Sequence, residues 1–347
     1  MTAPIRVAIV GYGYATRTFH APLVASVAGL ELRAMASSDA AKVAADWPGL
    51  GVEPTPQALL ARADIDLVVI PTPNDTHHPL ARAALLAGKH VVVDKPFTLD
   101  LAQAQDLDTL ATRCERLLSV FHNRRWDGDF LTVRELVAGG QLGRVTRFES
   151  RVDRYRPQVR SRWREAAGPG SGMWMDHGPH LLDQALQLFG APQAISLELM
   201  AQRDGALTDD AFHARLRYAN GPLVTLQASS LAAAPGPRMT VHGTRGSFVK
   251  LGPDPQEDAL KAGQRPGTWS LPPETATLAL QDTQSPDIVQ VMPHPVIAGR
   301  YTAYYEGVRD AILGRAPNPV PAHEAAQVMA WLELGVASHA ARRELPA

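Results

Sequence analysis

Ile5-Arg6-Val7-Ala8-Ile9-Val10-Gly11-Tyr12-Gly13-Tyr14-Ala15-Thr16 decides how the first third of this chain folds. An apolar run of strand length passes directly into two glycines separated by one residue. Such a pair permits a tight turn and lets the backbone approach a pyrophosphate, while the N-terminus of the following helix favours negative charge. A lone Gly-x-Gly says little. Placed after a first strand and followed by helix and strand again, it points to a dinucleotide cradle with Gly11, Gly13, Tyr14 and Ala15 at the phosphates. Thr16 stands where a third glycine is common, which loosens the helix–strand packing argument and leaves the phosphate argument intact. His20 and Pro22 complicate a regular first helix, so its start stays open.

Outward from this turn, residues 30–36 read as a second strand ending in Ser37-Ser38-Asp39. A dinucleotide-binding fold reads the adenosine ribose there: an acid favours the free 2′-hydroxyl, an arginine a 2′-phosphate. Asp39 lies a residue or two late, the tripeptide has no arginine, and Arg33 and Lys42 flank it at a distance. NAD and NADP both stay open, with a tilt to NAD. Residues 63–70 form the next buried strand, and Pro71-Thr72-Pro73-Asn74-Asp75-Thr76-His77-His78 follows. The prolines stop the strand and stiffen a loop whose Asn74 and His77 offer polar groups at the carboxyl edge of the sheet. Alternatively, Asp75 or Thr76 simply caps a helix over 79–87.

Val91-Val92-Val93-Asp94-Lys95-Pro96-Phe97 is an apolar run that ends abruptly in an acid, a lysine and a proline. It reads as a buried strand delivering an ammonium group to the end of a sheet, where desolvation makes it a usable proton donor or acceptor. The alternative is a surface lysine paired with Asp94. A helix over 101–113, with Leu101, Ala104, Leu107 and Ala111 as core, and a strand over 117–121 extend a parallel doubly wound sheet. The polar loop His122-Asn123-Arg124-Arg125-Trp126 is the expected boundary. It gives a Rossmann domain over 1–122 and a substrate-binding and oligomerisation α/β domain over 123–347.

In the second domain, the flexible Gly168–Gly172 segment delivers Met173-Trp174-Met175-Asp176-His177-Gly178-Pro179-His180-Leu181-Leu182-Asp183-Gln184. Pro179 suits the first turn of a helix that runs to 188 and stops at Gly190. His180, Asp183 and Gln184 then share a side, and Asp176 sits just before. An imidazole near a carboxylate is the usual equipment for removing an alcohol proton. The plainer alternative is that His180 and Asp183 pair at a buried helix end. Arg147, Glu149, Arg151 and Asp153 alternate with Phe148, Ser150 and Val152, a strand with one mixed-sign face that is solvated or meets another subunit. The turn Asp153-Arg154-Tyr155-Arg156-Pro157 reaches a polyhydroxylated ligand or stays on that surface. Strands are expected at 195–200, 211–218, 223–229, 238–242 and 247–251, as a large open mixed or antiparallel sheet with one face left for a second copy. Residues 252–299, rich in Pro, Gly, Gln and Asp, read as long loops or as an excursion that orders on a neighbour. Helices over 301–313 and 322–338 close the chain.

At 347 residues the chain is too long for one comfortable core, and its 45% apolar and 20% charged content describes an ordinary globular protein. A net charge of −1 argues against an extended basic face for nucleic acid. The longest apolar stretches are strand-sized and the N-terminus lacks a secretory pattern, so a cytoplasmic protein without a membrane partner is expected. The single cysteine, Cys114, supports neither an intrachain disulfide nor a structural zinc site, and no metal is expected.

Gly11-x-Gly13, Thr72-Pro73-Asn74-x-x-His77, Asp94-Lys95-Pro96 and Gly172-x-x-x-Asp176-x-Gly178-x-His180 together resemble the glucose–fructose oxidoreductase/inositol dehydrogenase/rhizopine catabolism (Gfo/Idh/MocA) family over nearly the whole chain. Phe121-His122-Asn123-Arg124-Arg125-Trp126-Asp127, Asp153 to Pro157 and Asp254-Pro255-Gln256-Glu257-Asp258-Ala259 look like its scyllo-inositol dehydrogenase branch, which uses NAD or NADP according to the member. The resemblance implies that Lys95 lies beside the nicotinamide and the substrate hydroxyl. It makes His180 the acid/base, with Asp176 near the substrate or the lysine, and Asp94 stands where the family usually has glutamate. It also implies coenzyme contacts from Ser37, Ser38, Thr72, Pro73, Asn74, His77 and Asp94, a cleft walled by Tyr12, Tyr14 and Phe19, and substrate contacts from Asn123, Arg124, Tyr155, Arg156 and Trp163. Homodimers or homotetramers form through the open sheet. The expected activity is hydride transfer between NAD(P) and a secondary alcohol of a cyclitol or sugar, scyllo-inositol first. The rivals are another sugar or a uronic acid, which Arg124, Arg125 and Arg156 would suit, and a nonenzymatic dinucleotide sensor, which needs neither Lys95 nor His180.

Overall fold

The computed structural model describes residues 3–347, apart from the side chain of Trp163. The chain divides into two compact units. One takes the chain up to Asn123 together with Pro255–Leu271 and Arg300–Met329; the other takes Arg124–Asp254, Pro272–Gly299 and Ala330–Ala347. The first crossing, between Asn123 and Arg124, lies one residue from the expected boundary. Two later segments return to the first unit, and that return leaves no mark in local composition.

The first unit holds six strands, β1 (Ile5–Val10), β2 (Leu30–Ala36), β3 (Gly51–Glu53), β4 (Leu67–Ile70), β5 (His90–Val93) and β6 (Leu118–Val120). They lie in the order β3-β2-β1-β4-β5-β6 and every pair is parallel. Val7, Ala8, Ile9, Leu67 to Ile70 and Val91 to Val93 are all buried, as strands covered on both faces require. A parallel sheet brings all its carboxyl ends to one edge. The strand order reverses between β1 and β4, so the loops after those two strands flank the crevice where such sheets take ligands.

The helices between them are α1 (Ala21–Ser26), α2 (Ala40–Asp46), α3 (Pro56–Leu60), α4 (Asn74–Leu86) and α5 (Leu101–Arg113). Asp39, Thr55 and Asp100 cap α2, α3 and α5 through side-chain oxygens. A π-turn over Thr16–His20 precedes α1, a deviation that often marks functional sites. α4 begins five residues before the expected start and carries Pro79 inside it. Its N-cap is Pro73 without a side-chain bond, so neither Asp75 nor Thr76 takes the expected capping role.

The second unit contributes α6 (Gly128–Ala138), α7 (Met173–Phe189) and a nine-stranded sheet. Its strands are β7 (Val145–Asp153), β8 (Ala194–Met200), β9 (Ala211–Arg217), β10 (Leu223–Ser229), β11 (Met239–Gly243), β12 (Gly246–Lys250), β13 (Thr275–Gln281), β14 (Val289–Pro295) and β15 (Leu345–Pro346), ordered β14-β13-β12-β11-β7-β10-β9-β8-β15. β7 and β10 run parallel and the other pairs antiparallel. α7 packs on β7, β9 and β10. The residues alternating toward it, among them Phe148, Phe212, Leu216 and Leu226, are buried, whereas His213, Arg215 and Arg217 on the other face are exposed. On that face Glu149 pairs with Arg147 and Arg151, the mixed-sign ladder that the alternation implies.

The long-loop reading of 252–299 is overturned. β13 and β14 pair over seven residues, from Thr275 opposite Pro295 to Gln281 opposite Val289. Pro293 and Pro295 demote this segment in any sequence reading, but β14 lies at the sheet edge, where a missing N–H leaves no ladder bond unmade. In the first unit, α8 (Gln256–Lys261) and α9 (Thr302–Ile312) follow, the latter burying Tyr304 and Tyr305. The last helix, α10 (Ala322–Ala341), runs slightly past its expected end. Among the described residues no helix is long and apolar enough to cross a membrane.

Candidate functional site

In the first unit, Gly11 has φ +90° and donates its N–H to the Ala36 carbonyl at 2.8 Å. A Cβ there would meet Thr72 Cγ2 at 3.4 Å, so glycine is required both by conformation and by the approach of the β4 loop. At Gly13 a Cβ would meet no protein atom within 4 Å. The side chain missing at Gly13 leaves room for a ligand rather than for the chain itself, which fits a pyrophosphate drawn against the backbone. Thr16, in the third-glycine place, donates its hydroxyl to the Gly11 carbonyl at 2.8 Å and so holds the turn. Tyr14 is 55% exposed beside Phe19, and Ala15 is half-buried. Tyr12 is 7% exposed and borders, with Tyr14, the cavity described below. Its hydroxyl donates to Asp46 at 2.6 Å, and burial with that carboxylate pushes its pKa up to about 12.

After β2, the Ser37 hydroxyl accepts the Asp39 N–H and Ser38 is exposed. The Asp39 carboxylate accepts the Lys42 N–H at 3.0 Å as the cap of α2. A cavity of about 720 Å³ within this unit is bordered by Gly13, Tyr14, Arg17, Lys42, Lys261 and Arg265.

The β4 and β5 loops are tied together by His77, which is fully buried. Its Nε2 lies 2.9 Å from the Thr72 carbonyl and its Nδ1 2.9 Å from the Pro96 carbonyl. Burial pushes its pKa down against the opposing pull of Asp94 and these carbonyls. His77 therefore braces the two loops whose ends carry Thr72 and Pro96. Asn74 is nearly buried at the start of α4, Pro73 is exposed and Thr72 half-buried.

Asp94 also ties this end of the sheet together. Its Oδ1 accepts the Lys95 N–H at 2.8 Å, and its Oδ2 lies 3.6 Å from Nε2 of buried His20, whose Nδ1 is 2.7 Å from the Tyr305 hydroxyl. Burial pushes the Asp94 carboxyl up, but His20, then Lys95 and His77, outweigh it and hold the pKa at about 2. Neither His20 nor Tyr305 emerges from the sequence as part of the site; the one signal is an ionisable residue inside the apolar Phe19-His20-Ala21-Pro22 stretch. The depressed Asp94 pKa contributes stability fully above about pH 4, and that contribution is lost as pH falls through about 2. Asp94→Asn should flatten the acid limb of urea stability by on the order of 2 kcal/mol, and an unchanged limb would remove this role.

In the second unit, α7 starts at Met173, six residues before Pro179. Gly172 has φ +94°, and a Cβ would lie 2.0 Å from Asp209 Oδ1. Asp209 itself accepts the Trp174 N–H at 2.7 Å, and burial pushes its pKa up. Asp176 and His180 are thus one helical turn apart on one face, with His180 5% exposed. Asp176 lies 3.6 Å from Arg164 Nε and 3.8 Å from His177 Nε2. Pairing of His180 with Asp183 is overturned: Asp183 takes Arg125 through both oxygens, at 2.8 and 2.6 Å, in a buried fork. Arg124 pairs with Asp127 at 3.3 Å and Gln184 donates to the Arg124 carbonyl at 2.9 Å, so both belong to the same internal web. Arg124 and Arg125 therefore brace this unit instead of presenting free guanidinium groups. Tyr155 is 61% exposed and Arg156 half-buried. Asn123, at the end of the first unit, is nearly buried; the Trp163 side chain lies outside the described residues.

Two family models match the chain. The oxidoreductase-family NAD-binding Rossmann fold (Gfo/Idh/MocA) covers residues 5–122, and the C-terminal alpha/beta domain of the same family covers 134–346. The uncharacterized oxidoreductase YdgJ of Escherichia coli is 53% identical over 340 residues, covering 97% of each chain. The scyllo-inositol 2-dehydrogenase (NADP(+)) IolW of Bacillus subtilis is 36% identical over 348 residues, covering 98% of this chain and 95% of IolW. The solved structure of YPO2259 from Yersinia pestis superposes with a TM-score of 0.95 at 52% identity, covering 100% of this chain and 98% of that one.

Proposed function

The chain belongs to the Gfo/Idh/MocA oxidoreductase family, and from that premise we propose that it transfers a hydride between a nicotinamide coenzyme and a secondary alcohol of a cyclitol or sugar. The observation that carries this reading is the bracing of Lys95 by Asp94 and His20, at the sheet edge that also carries the Gly11–Gly13 turn. A neutral strand-end lysine needs no such support.

A bound nicotinamide supplies the hydride acceptor. Lys95 would hold the substrate hydroxyl and assist its proton transfer. His180 would take the hydroxyl proton, with Asp176 one turn earlier on the same helix. IolW makes scyllo-inositol the first substrate to try. The test is reduced-nicotinamide absorbance with NAD or NADP against scyllo-inositol, myo-inositol, glucose and glucuronate. Turnover supports the reading. Tight coenzyme binding with silence across the panel would favour the sensor instead.

For the coenzyme we favour NADP, reversing the tilt of the sequence. The only acid after β2, Asp39, is engaged as a helix cap, and Lys42 borders the neighbouring cavity together with Arg17, Lys261 and Arg265. Ser37 and Ser38 then offer hydroxyls, and Lys42 a charge, to a 2′-phosphate. Lys42→Ala is expected to raise the KM for NADP by about tenfold or more, the size of a lost charge-assisted hydrogen bond, with the KM for NAD little changed. A wild-type preference for NAD would overturn this choice. The mixed-sign Arg147-to-Asp153 face of the nine-stranded sheet is our proposed contact with a second copy, and a monomer in sedimentation would rule it out.

A further inference from the structure

We propose that the arginine-lined pocket beside the start of α7 seats a compact oxyanion, so that the alcohol this protein oxidises carries a carboxylate or a related anionic group besides its hydroxyls. The inference rests on the hydride-transfer reading and narrows its substrate class. The pocket lies wholly within the second unit and encloses about 30 Å³, bordered by Arg154, Arg156, Arg162, Arg164, Arg203 and Asp176. That is room for a group of a few atoms such as a carboxylate and too little for a sugar ring.

Glu165, Asp209 and Asp210 border it as well, so five arginines meet four carboxylates and one positive charge is left over. Arg203 is held by Glu165 at 3.0 Å and by Asp210 at 2.9 Å, and Arg162 by Glu165 at 2.6 Å. Arg164 faces Asp176, and Asp209 is spent on the first turn of α7. Arg154 and Arg156 are half-buried and have no acidic partner among the described residues. Burial, then the crowding of Arg154, Arg160 and Arg162, pulls the Arg156 guanidinium below its ordinary value, with Glu165 opposing. Cations brought together at that cost without a counter-charge differ from a finished structural network such as Arg125 with Asp183, where both groups are answered. A guanidinium fork matches a carboxylate in a bidentate pair, and an anion here would lie against Asp176, one turn from His180.

The experiment compares kcat/KM for D-glucuronate, D-glucose, scyllo-inositol and D-glucose 6-phosphate in the wild type, Arg156→Gln and Arg154→Gln. Calorimetric titrations of glucuronate and glucose into the coenzyme-loaded protein accompany it. We expect an anionic substrate to exceed its neutral counterpart by about tenfold or more, and that ratio to fall roughly 10- to 100-fold in Arg156→Gln, through KM rather than kcat. Arg154→Gln should move the ratio the same way and serves if Arg156→Gln does not fold. Preference between glucuronate and the phosphate identifies which oxyanion is taken, and either supports the seat. No anionic advantage, or a ratio unchanged in both variants, overturns the seat and leaves the dehydrogenase reading standing. Arg156-dependent binding of glucuronate without turnover of any substrate supports the seat and removes the dehydrogenase reading.

Discussion

Lys95→Ala is expected to lower turnover by two or more orders of magnitude while coenzyme affinity changes by less than about threefold, since a positioned acid or base contributes roughly 10²–10⁴. The backbone at Lys95 is fixed by the Asp94 carboxylate, by the Asp94 N–H to the Ile70 carbonyl and by the β4–β5 pairing, and all of these survive the substitution. His180→Ala should cost a similar factor. If both groups act on one proton, the double variant falls close to either single one instead of multiplying the losses. Steady-state rates and a fluorescence titration of NADPH separate the outcomes. Normal turnover in either variant ends its acid/base assignment, and lost coenzyme binding in Lys95→Ala makes the lysine a coenzyme ligand.

Local patterns carried the sequence reading a long way. β2 and β10 have the very bounds that the apolar runs imply, because a strand buried on one or both faces must show its apolar residues in order. The glycine turn was legible for the same reason: φ +90° at Gly11 excludes most other residues. What stayed hidden depends on partners distant in sequence. Asp209 ties down the start of α7, which therefore begins well before the proline that marks a helix start by local rules. His20, Asp94 and Tyr305 meet although the first and last are separated by 285 positions. The bonds of His77 to the Thr72 and Pro96 carbonyls depend on a loop nineteen positions away and leave no local signal. β14 was lost to its prolines, whose penalty vanishes at an edge.

Asp183→Ala should destabilise the protein by about 3–5 kcal/mol, because it leaves the Arg125 guanidinium buried without its counter-charge. The two side chains are 7% and 3% exposed and meet in a fork of 2.8 and 2.6 Å, so water cannot readily replace the missing carboxylate. For a protein of this size that corresponds to a fall on the order of 10 °C in Tm, measurable by calorimetry. Arg125→Met is expected to be damaging in the same way, while Arg125→Met combined with Asp183→Leu should recover most of the loss, since no buried charge then remains unanswered. The pair also separates two meanings of arginine in this chain. If Arg125 touched an acidic substrate, Arg125→Met would raise the KM for glucuronate with Tm unmoved. The closed fork requires the opposite, a falling Tm with the preference between glucuronate and glucose preserved. Arg156, whose charge has no answering carboxylate, should show the reverse pattern, and the contrast between the two arginines tests the difference between a completed ion pair and one awaiting its anion.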